Sequence, residues 1–420
     1  MLFRFSLYGF LKNQRYFEPF LLLALLEKGL SFTEVGFLIA FREITLNVFE
    51  IPSGAMADVL GRRKAMVVSF TAYIASFVIF GLGEQLWHFF GAMFFFGIGD
   101  AFRTGTHKAI ILDWLRQEGR QDEKTRVYGF TRSWSKIGSA VSALIAAGLV
   151  FRGGRYADIF WLSIAPYVLN LINLATYPRR LDGRGAGADA GEGSLVLVFR
   201  HTMRVGKRVV KVRTLRRLMV ESMGFGGVHG AVKDYLQPVI VAAALSLPFL
   251  TDVAEERRSA LLIGVTYFFL FVLASVASRQ SHRLVGWRGG EEPAARGLWW
   301  ALFGTFAVLL PLFYLDLHAA IIVGFLFLAV LRNLWRPILV ARFDGQSEPE
   351  IGATLLSVES QAKSLATMVL APLVGFAIDF ANRGISPGAR SYWPVAAVGL
   401  LAAALILVTG RRARGELGAT

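Results

Sequence analysis

The sequence predicts an all-α integral membrane protein with twelve transmembrane helices, arranged as two pseudo-symmetric six-helix bundles. Three observations carry that prediction. The chain of 420 residues is 55% hydrophobic and 18% charged with a mean hydropathy of +0.51, against about 25% charged residues in an average soluble domain. Its apolar residues gather into twelve long segments, six on each side of a linker rich in small residues. Charged and proline-bearing phrases of the first group recur, in the same order, in the second.

The apolar segments fall at 4–28, 33–57, 65–83, 88–113, 128–151, 156–178, 215–245, 259–283, 294–315, 318–342, 352–380 and 391–410. Each is near or above the roughly 20 residues that a helix needs to cross the hydrocarbon of a bilayer. The expected organisation is a six-helix bundle over 1–181, a cytoplasmic linker over 182–214 and a second bundle over 215–420. Residues 182–193 are mostly Gly, Ala and Asp, a flexible composition. After them Arg200, Arg204, Lys207, Arg208 and Lys211 recur at helical spacing opposite Val196, Phe199 and Val205. That pattern suits a basic amphipathic helix on an anionic leaflet; ordinary positive-inside charge is the alternative.

The formal net charge is +15, and the bases sit in short clusters between apolar runs. They follow the even-numbered segments: Arg62 to Lys64, then Arg116, Arg120, Lys124 and Arg126, then the linker, then Arg279 and Arg283, then Arg411, Arg412 and Arg414. The odd-numbered connections carry acids instead, including Glu84, Asp252, Glu255 and Asp316. Both termini are therefore expected in the cytoplasm, and the positive charge reflects topology rather than nucleic-acid binding. The sequence has no Cys, which excludes disulfides, thiolate metal sites and cysteine nucleophiles. No cleavable signal peptide is expected, because charges interrupt the first segment throughout.

The two groups read as copies of one unit. Arg15-Tyr-Phe-Glu-Pro19 matches Asp234-Tyr-Leu-Gln-Pro238. Asp58-Val-Leu-Gly-Arg-Arg63 is set against Ser278-Arg-Gln-Ser-His-Arg283, and Arg103 against Arg332. The separations are about 220 to 230 residues, as a duplicated six-helix unit with one insertion requires.

Ionisable residues inside the segments mark the expected site. The bases are Lys12, Arg15, Arg42, Arg103, Arg132, Lys136, Lys233, Arg332, Arg336 and Lys363; the acids are Glu18, Glu43, Glu50, Asp100, Asp234 and Glu359. At about 3 kcal/mol per central charge, lipid exposure of all of them would cost roughly 48 kcal/mol, several times a protein's net stability. They must face water, pair with one another, or lie near helix ends. Helical spacing favours a wet cavity: Tyr8, Lys12, Arg15 and Pro19 share one face, as do Glu43, Asn47, Glu50 and Gly54. Asp100, Arg103 and His107 form a third group, Arg132, Lys136 and Ser139 a fourth, and Glu359 with Lys363 a fifth. Candidate substrate contacts are Lys12, Arg15, Asn47, Arg103, Arg132, Lys136, Lys233, Gln237, Arg332 and Arg336. Candidate proton carriers are Glu43, Glu50, Asp100, Asp234 and Glu359, because desolvation moves a carboxyl toward neutral titration. Structural pairing, for instance Arg15 with Glu43 or Arg332 with Glu359, is the competing explanation for any single residue. His107 and His229 are weaker proton candidates, since a lone buried imidazole more often satisfies a hydrogen bond. Pro19 and Pro238 are expected to kink their helices.

One motif is more specific. Gly54-Ala-Met-Ala-Asp58-Val-Leu-Gly61-Arg62-Arg63-Lys64 ends the second segment. Gly54 would permit close helix approach, Asp58 follows on the same face, and Gly61 supplies a turn. This resembles the loop signature G-x-x-x-D-x-x-G-R-[RK] of the major facilitator superfamily, and the likeness extends over essentially the whole chain. The resemblance implies two rocking six-helix bundles and secondary transport without a cofactor. It also implies that Asp58 meets the eleventh helix and that Arg62 and Arg63 pair with Asp113, latching the cytoplasmic side. Gly54, Asp58, Gly61, Arg62, Arg63 and Asp113 are thus candidate gating residues, and Ser278 would make the latch asymmetric. Arg103 resembles the fourth-helix arginine of drug/proton antiporters, although Gly138-Ser-Ala-Val-Ser-Ala143 lacks their Gly-Pro pair.

The expected function is proton-coupled efflux of a small organic solute through a bacterial inner membrane, by a monomer bound to no nucleic acid. Proton-coupled import of an anionic metabolite is the alternative within that class, and a non-transporting sensor on the same fold lies outside it. An enzyme is not expected: there is no G-x-S-x-G, no H-E-x-x-H and no metal-ligand cluster. No Walker motif is present, so ATP is not the expected direct energy source.

Overall fold

A computed structural model describes residues 1–182, 204, 209, 211–246, 252–345, 352–384 and 391–415, apart from the side chains of 55, 58–60, 125, 352, 353, 406 and 408–415. The amphipathic helix expected around Arg200, Lys207 and Arg208 lies outside these residues, as does the Asp58 side chain. Among the described residues every regular element is helical.

The first six segments form α1 (Leu2–Lys12), α2 (Leu21–Glu27), α3 (Phe32–Leu60), α4 (Arg62–Leu82), α5 (Leu86–Arg103), α6 (Thr106–Gln117), α7 (Lys124–Gly153) and α8 (Ile159–Ala175). The last six form α9 (Arg213–Ser222), α10 (Val228–Val232), α11 (Leu236–Ser246), α12 (Glu255–Arg288), α13 (Glu291–Tyr314), α14 (His318–Asp344), α15 (Gly352–Ala381) and α16 (Trp393–Gly415). Among the described residues six helices are long and apolar enough to cross a membrane: Arg62–Leu82, Gln121–Gly153, Glu255–Arg288, Glu291–Tyr314, His318–Asp344 and Thr354–Ala381. Ile159–Ala175 and Trp393–Leu405 are shorter apolar helices. The first, second, fourth and seventh segments fall short because they carry charges or breaks, and these are the segments that supply much of the site.

Three segments expected to be continuous are broken, each for a local reason. After α1 the chain turns through Asn13–Phe20, where the Asn13 amide donates back to the Gly9 carbonyl at 2.7 Å and Pro19 has no N–H to extend a helix. Tyr8, Lys12, Arg15 and Pro19 therefore do not form one helical stripe. Gly105 at φ +79° separates α5 from α6, so Asp100 and Arg103 lie on a different helix from His107. In the seventh segment a wide turn at Met223–Gly227 and a 3-10 turn at Lys233–Tyr235 interrupt the α-helix. Pro238 accounts for the second, since its ring excludes the carbonyl four residues back, that of Asp234.

Two compact units result: Met1–Lys28 with Phe41–Arg200 and Ile263–Phe268, and Gly29–Ala40 with His201–Leu262 and Phe269–Thr420. Their internal packing repeats. In the first unit α1 packs on α7, and α4 on both α5 and α8. In the second, the Met223–Gly227 turn and α10 pack on α15, and α13 on both α14 and α16. First-on-fifth, third-on-fourth and third-on-sixth pairing is thus common to both, as duplication demands.

The start of α3 shows how closely these helices approach. Ser31-Phe-Thr-Glu34 is a capping box: the Ser31 N–H donates to Glu34 at 2.8 Å, and the Glu34 N–H donates to Ser31 Oγ at 3.2 Å. Asp379 of α15 completes the cap by accepting from the Thr33 N–H at 2.7 Å and its hydroxyl at 2.6 Å. The contact needs two glycines. A Cβ on Gly36 would lie 2.6 Å from the Ala371 carbonyl oxygen and 2.7 Å from Pro372 Cα, and a Cβ on Gly375 would strike the Phe32 carbonyl. Gly54, expected to serve close approach, has no described atom within 4 Å of its notional Cβ; that role belongs to Gly36 and Gly375. Because the obstacles are backbone atoms, Gly36→Ala and Gly375→Ala should each destabilise the protein by about 1–3 kcal/mol, read as a lower melting temperature in detergent.

Candidate functional site

The first unit contains a cavity of about 400 Å³ walled by α1, the end of α5, α6 and α7. Glycine sets its walls. A Cβ on Gly9 would lie 2.7 Å from Ser135 Oγ, and one on Gly138 would lie 2.7 Å from the Phe10 carbonyl. Gln14 donates to the Gly138 carbonyl at 3.3 Å, and Ser139 donates to Asn13 Oδ1 at 3.3 Å. With α1 held so tightly against α7, Lys12, Arg132 and Lys136 line one space together with Arg103 and Lys108. No carboxylate is among the lining residues.

Arg103 is anchored from behind. Its Nη2 bonds Asp100 Oδ1 at 2.8 Å, its Nε donates to the Tyr73 hydroxyl at 2.9 Å, and that hydroxyl donates to Asp100 Oδ1 at 2.6 Å. Gly99 makes the triad possible, since a Cβ there would sit 2.8 Å from the Tyr73 ring. His107 is part of an aromatic stack rather than a free proton carrier: its ring lies 3.6 Å from that of Tyr8 at an interplanar angle of 16° and meets the Tyr177 hydroxyl at 3.3 Å.

The other expected site residues are placed as follows. Arg15 lies 3.7 Å from Glu18, and Glu43 accepts from Arg42 at 2.6 Å. Asn47 and Glu50 are half-buried on α3, and neither lines the basic cavity. In the second unit Lys233 bonds Asp234 at 2.7 Å, and Gln237 is fully buried. Arg336 bonds Glu359 at 2.7 Å, and the buried Glu359 also accepts from Ser222. Arg332 lies on α14, one turn before Arg336. Lys12, Arg103, Arg132 and Lys136 are thus brought together, while Lys233, Gln237, Arg332 and Arg336 belong to the other unit.

At the motif, Gly61 adopts φ +103°, a conformation open to glycine at little cost, and a Cβ there would sit 3.1 Å from Asp182. Arg62, the first residue of α4, bonds Asp113, which also accepts from Arg116 at 3.3 Å. Arg63 takes a different acid from the one expected: its Nε lies 3.5 Å from Asp182, and its Nη1 donates to the Ala175 and Tyr177 carbonyls.

The second unit contains a counterpart that sequence reasoning missed. Arg342, near the end of α14, donates to Glu292 at 2.7 Å and also bonds Glu221; Arg217 bonds both acids. Glu292 occupies the first turn of α13 as Arg62 does in α4, and Arg342 ends the tenth segment as Asp113 ends the fourth. The ion pair is therefore repeated with its charges exchanged. The turn preceding it is Gly289-Gly290, with φ +73° and +139°, so the second copy of the motif lies there. Ser278, the residue expected to replace Asp58, sits well inside α12. Opposite charge at equivalent positions is the signal that would have located this pair in the sequence.

Two repeated helical units, charged residues held within apolar segments and a basic cavity define a multi-pass membrane protein. The family model of the Major Facilitator Superfamily matches residues 13–348, and the chain belongs to that superfamily. It is 22% identical over 260 residues to the inner membrane transport protein YajR of Escherichia coli (strain K12), across 59% of this chain and 55% of the relative. The match thus spans just over half the length of that curated relative. Among solved structures, the nucleoside transporter NupG aligns with a TM-score of 0.70 at 11% identity, over 97% of this chain and 96% of that one. A D-xylose-proton symporter aligns with a TM-score of 0.68 at 16% identity, over 96% of each chain. These two likenesses establish the fold.

Proposed function

We propose that the protein is a secondary active transporter that exports a small organic solute across a bacterial inner membrane in exchange for protons. It works by alternating access as a monomer, with both termini in the cytoplasm and its rocking bodies at 1–181 and 215–420, joined by 182–214. Superfamily membership and the transport names of its relatives support the class. One observation carries the coupling: four of the candidate proton carriers are bonded to a base, Glu43 to Arg42, Asp100 to Arg103, Asp234 to Lys233 and Glu359 to Arg336. A proton arriving at such a carboxylate releases its base, and a solute arriving at the base releases the carboxylate. Competition for one ion pair is a direct way to make the two ligands exclude each other, which is what exchange requires. Glu50 is the fifth carboxylate in this scheme. Arg62 with Asp113, supported by Gly54, Asp58, Gly61 and Arg63, forms the latch.

The test is flux in proteoliposomes carrying an imposed pH gradient. Solute should move against the proton flow, and Glu359→Gln should abolish proton movement while solute exchange persists. Flow of both in the same direction would replace export with symport. Asp58→Asn is expected to slow turnover by about 5- to 150-fold, because one interaction made in one gate state shifts a two-state balance by about 1–3 kcal/mol; unchanged turnover would remove the latch from the mechanism.

A further inference from the structure

We propose that the basic cavity of the first unit binds a doubly negative group, a phosphate monoester or a dicarboxylate, carried by a small solute. The inference rests on the transport reading above and gives its substrate class. Five of the residues lining about 400 Å³ are Lys12, Arg103, Lys108, Arg132 and Lys136, and none is an acid. Arg103 has its charge balanced by a carboxylate bonded directly behind the wall, Asp100 at 2.8 Å. Among the described residues no carboxylate comes within ion-pair distance of Lys12, Lys108 or Arg132.

Cations gathered around one space repel one another, and a fold tolerates that where an anion or solvent offsets the charge. A single negative charge would leave most of this repulsion in place. Two charges on one group match the count much better. The uncharged lining agrees: Asn13, Ser135 and Ser139 can bond oxygen atoms, and the Tyr128 ring lies 5.6 Å from the Lys108 ammonium. Lys12 comes from α1, Lys108 from α6, and Arg132 with Lys136 from successive turns of α7. The charges therefore converge from three helices instead of lining one solvated face. The volume accommodates a compact metabolite.

Binding to the purified full-length protein, in a neutral detergent at pH 7.5 and low salt, tests this without any gradient. Isothermal titration would use α-glycerophosphate against glycerol and methyl sulfate, and succinate against succinamide. At least one dianion should bind saturably, its neutral counterpart should give no heat, and the monoanion methyl sulfate should bind at least about fivefold more weakly. Arg132→Gln and Lys108→Gln, both at exposed positions, should each weaken that dianion about tenfold, the worth of one charge-assisted hydrogen bond. Equal binding of glycerol and glycerophosphate, or full affinity in both variants, would overturn the assignment. So would saturable binding of phosphatidylglycerol with no binding of either soluble dianion, which would make the site a lipid headgroup pocket. Because no transport is measured, an error in direction or coupling leaves this result untouched. Conversely, dianion binding with no solute flux in proteoliposomes would count against the transport reading and not against the site.

Discussion

Arg342→Met should lower the stability of the protein by about 3–5 kcal/mol, the usual consequence of removing one partner from a buried ion pair. Arg342 is 8% exposed and Glu221 only 2%. Two bases, Arg217 and Arg342, neutralise two acids, Glu221 and Glu292. Methionine keeps the aliphatic bulk beside Trp335, whose ring lies 5.8 Å from the Arg342 guanidinium, so lost packing contributes little. What remains is a Glu221 carboxylate nearly sealed from water, with Arg217 as the single base shared between it and Glu292. In thermal unfolding this corresponds to a fall of roughly 6–20 °C for a unit of about 200 residues. The double variant Glu221→Gln/Arg342→Met should recover most of that loss, because the stranded charge is gone. A single variant melting within 1 °C of wild type would mean that Glu221 is solvated or balanced by Arg217 alone.

The exchanged polarity of the two ion pairs also has a local cause. Glu221 stands beside Arg342 and fixes a base at that position; a glutamate there would meet a buried like charge. Asp113 stands beside the exposed Arg116 instead, which fixes an acid there only weakly. The duplicated unit thus kept the geometry of the contact, while its sign followed the neighbour.

The same comparison marks how far the sequence was legible. Twelve segments, the two-unit duplication and the superfamily loop were readable because hydropathy and glycine turn chemistry act over a few residues. Arg62 with Asp113 was readable because the superfamily resemblance implies an acid at the end of the fourth segment as the partner of the loop arginines. Arg63 with Asp182 was not, since Asp182 opens the polar linker and only folding returns it to Gly61. The breaks after Lys12, at Gly105 and at Met223–Gly227 lie inside segments defined by length and average apolarity, neither of which registers a local turn. The second ion-pair network was hidden by looking for the same charge at the repeated position. Of the candidate substrate contacts, Lys12, Arg103, Arg132 and Lys136 share a cavity, while Lys108, which also lines it, lies off the helical stripe of Asp100, Arg103 and His107 and so is not marked by spacing.

Arg103 is where structure and transport can be separated. Removing it alone, as in Arg103→Leu, leaves Asp100 with the Tyr73 hydroxyl but without its base, and should destabilise the protein by about 3–5 kcal/mol. Loss of transport in that variant would therefore say nothing about mechanism. The informative protein is Asp100→Leu/Arg103→Leu, because replacing both members of a largely shielded ion pair with apolar side chains is often neutral or stabilising. It should melt within about 3 °C of wild type, with Tyr73 losing a partner that water in the adjoining cavity can replace. If the pair acts only as a brace, this variant transports normally. If Arg103 is the base for which solute and proton compete, the double variant keeps its fold and loses at least about 100-fold in coupled flux, roughly 2.7 kcal/mol at the rate-limiting step. Restoring flux with lysine at position 103 and aspartate at position 100 would show that charge alone suffices. Failure of that lysine variant, in a protein of normal stability, would assign the function to the forked guanidinium that reaches Asp100 and Tyr73 together.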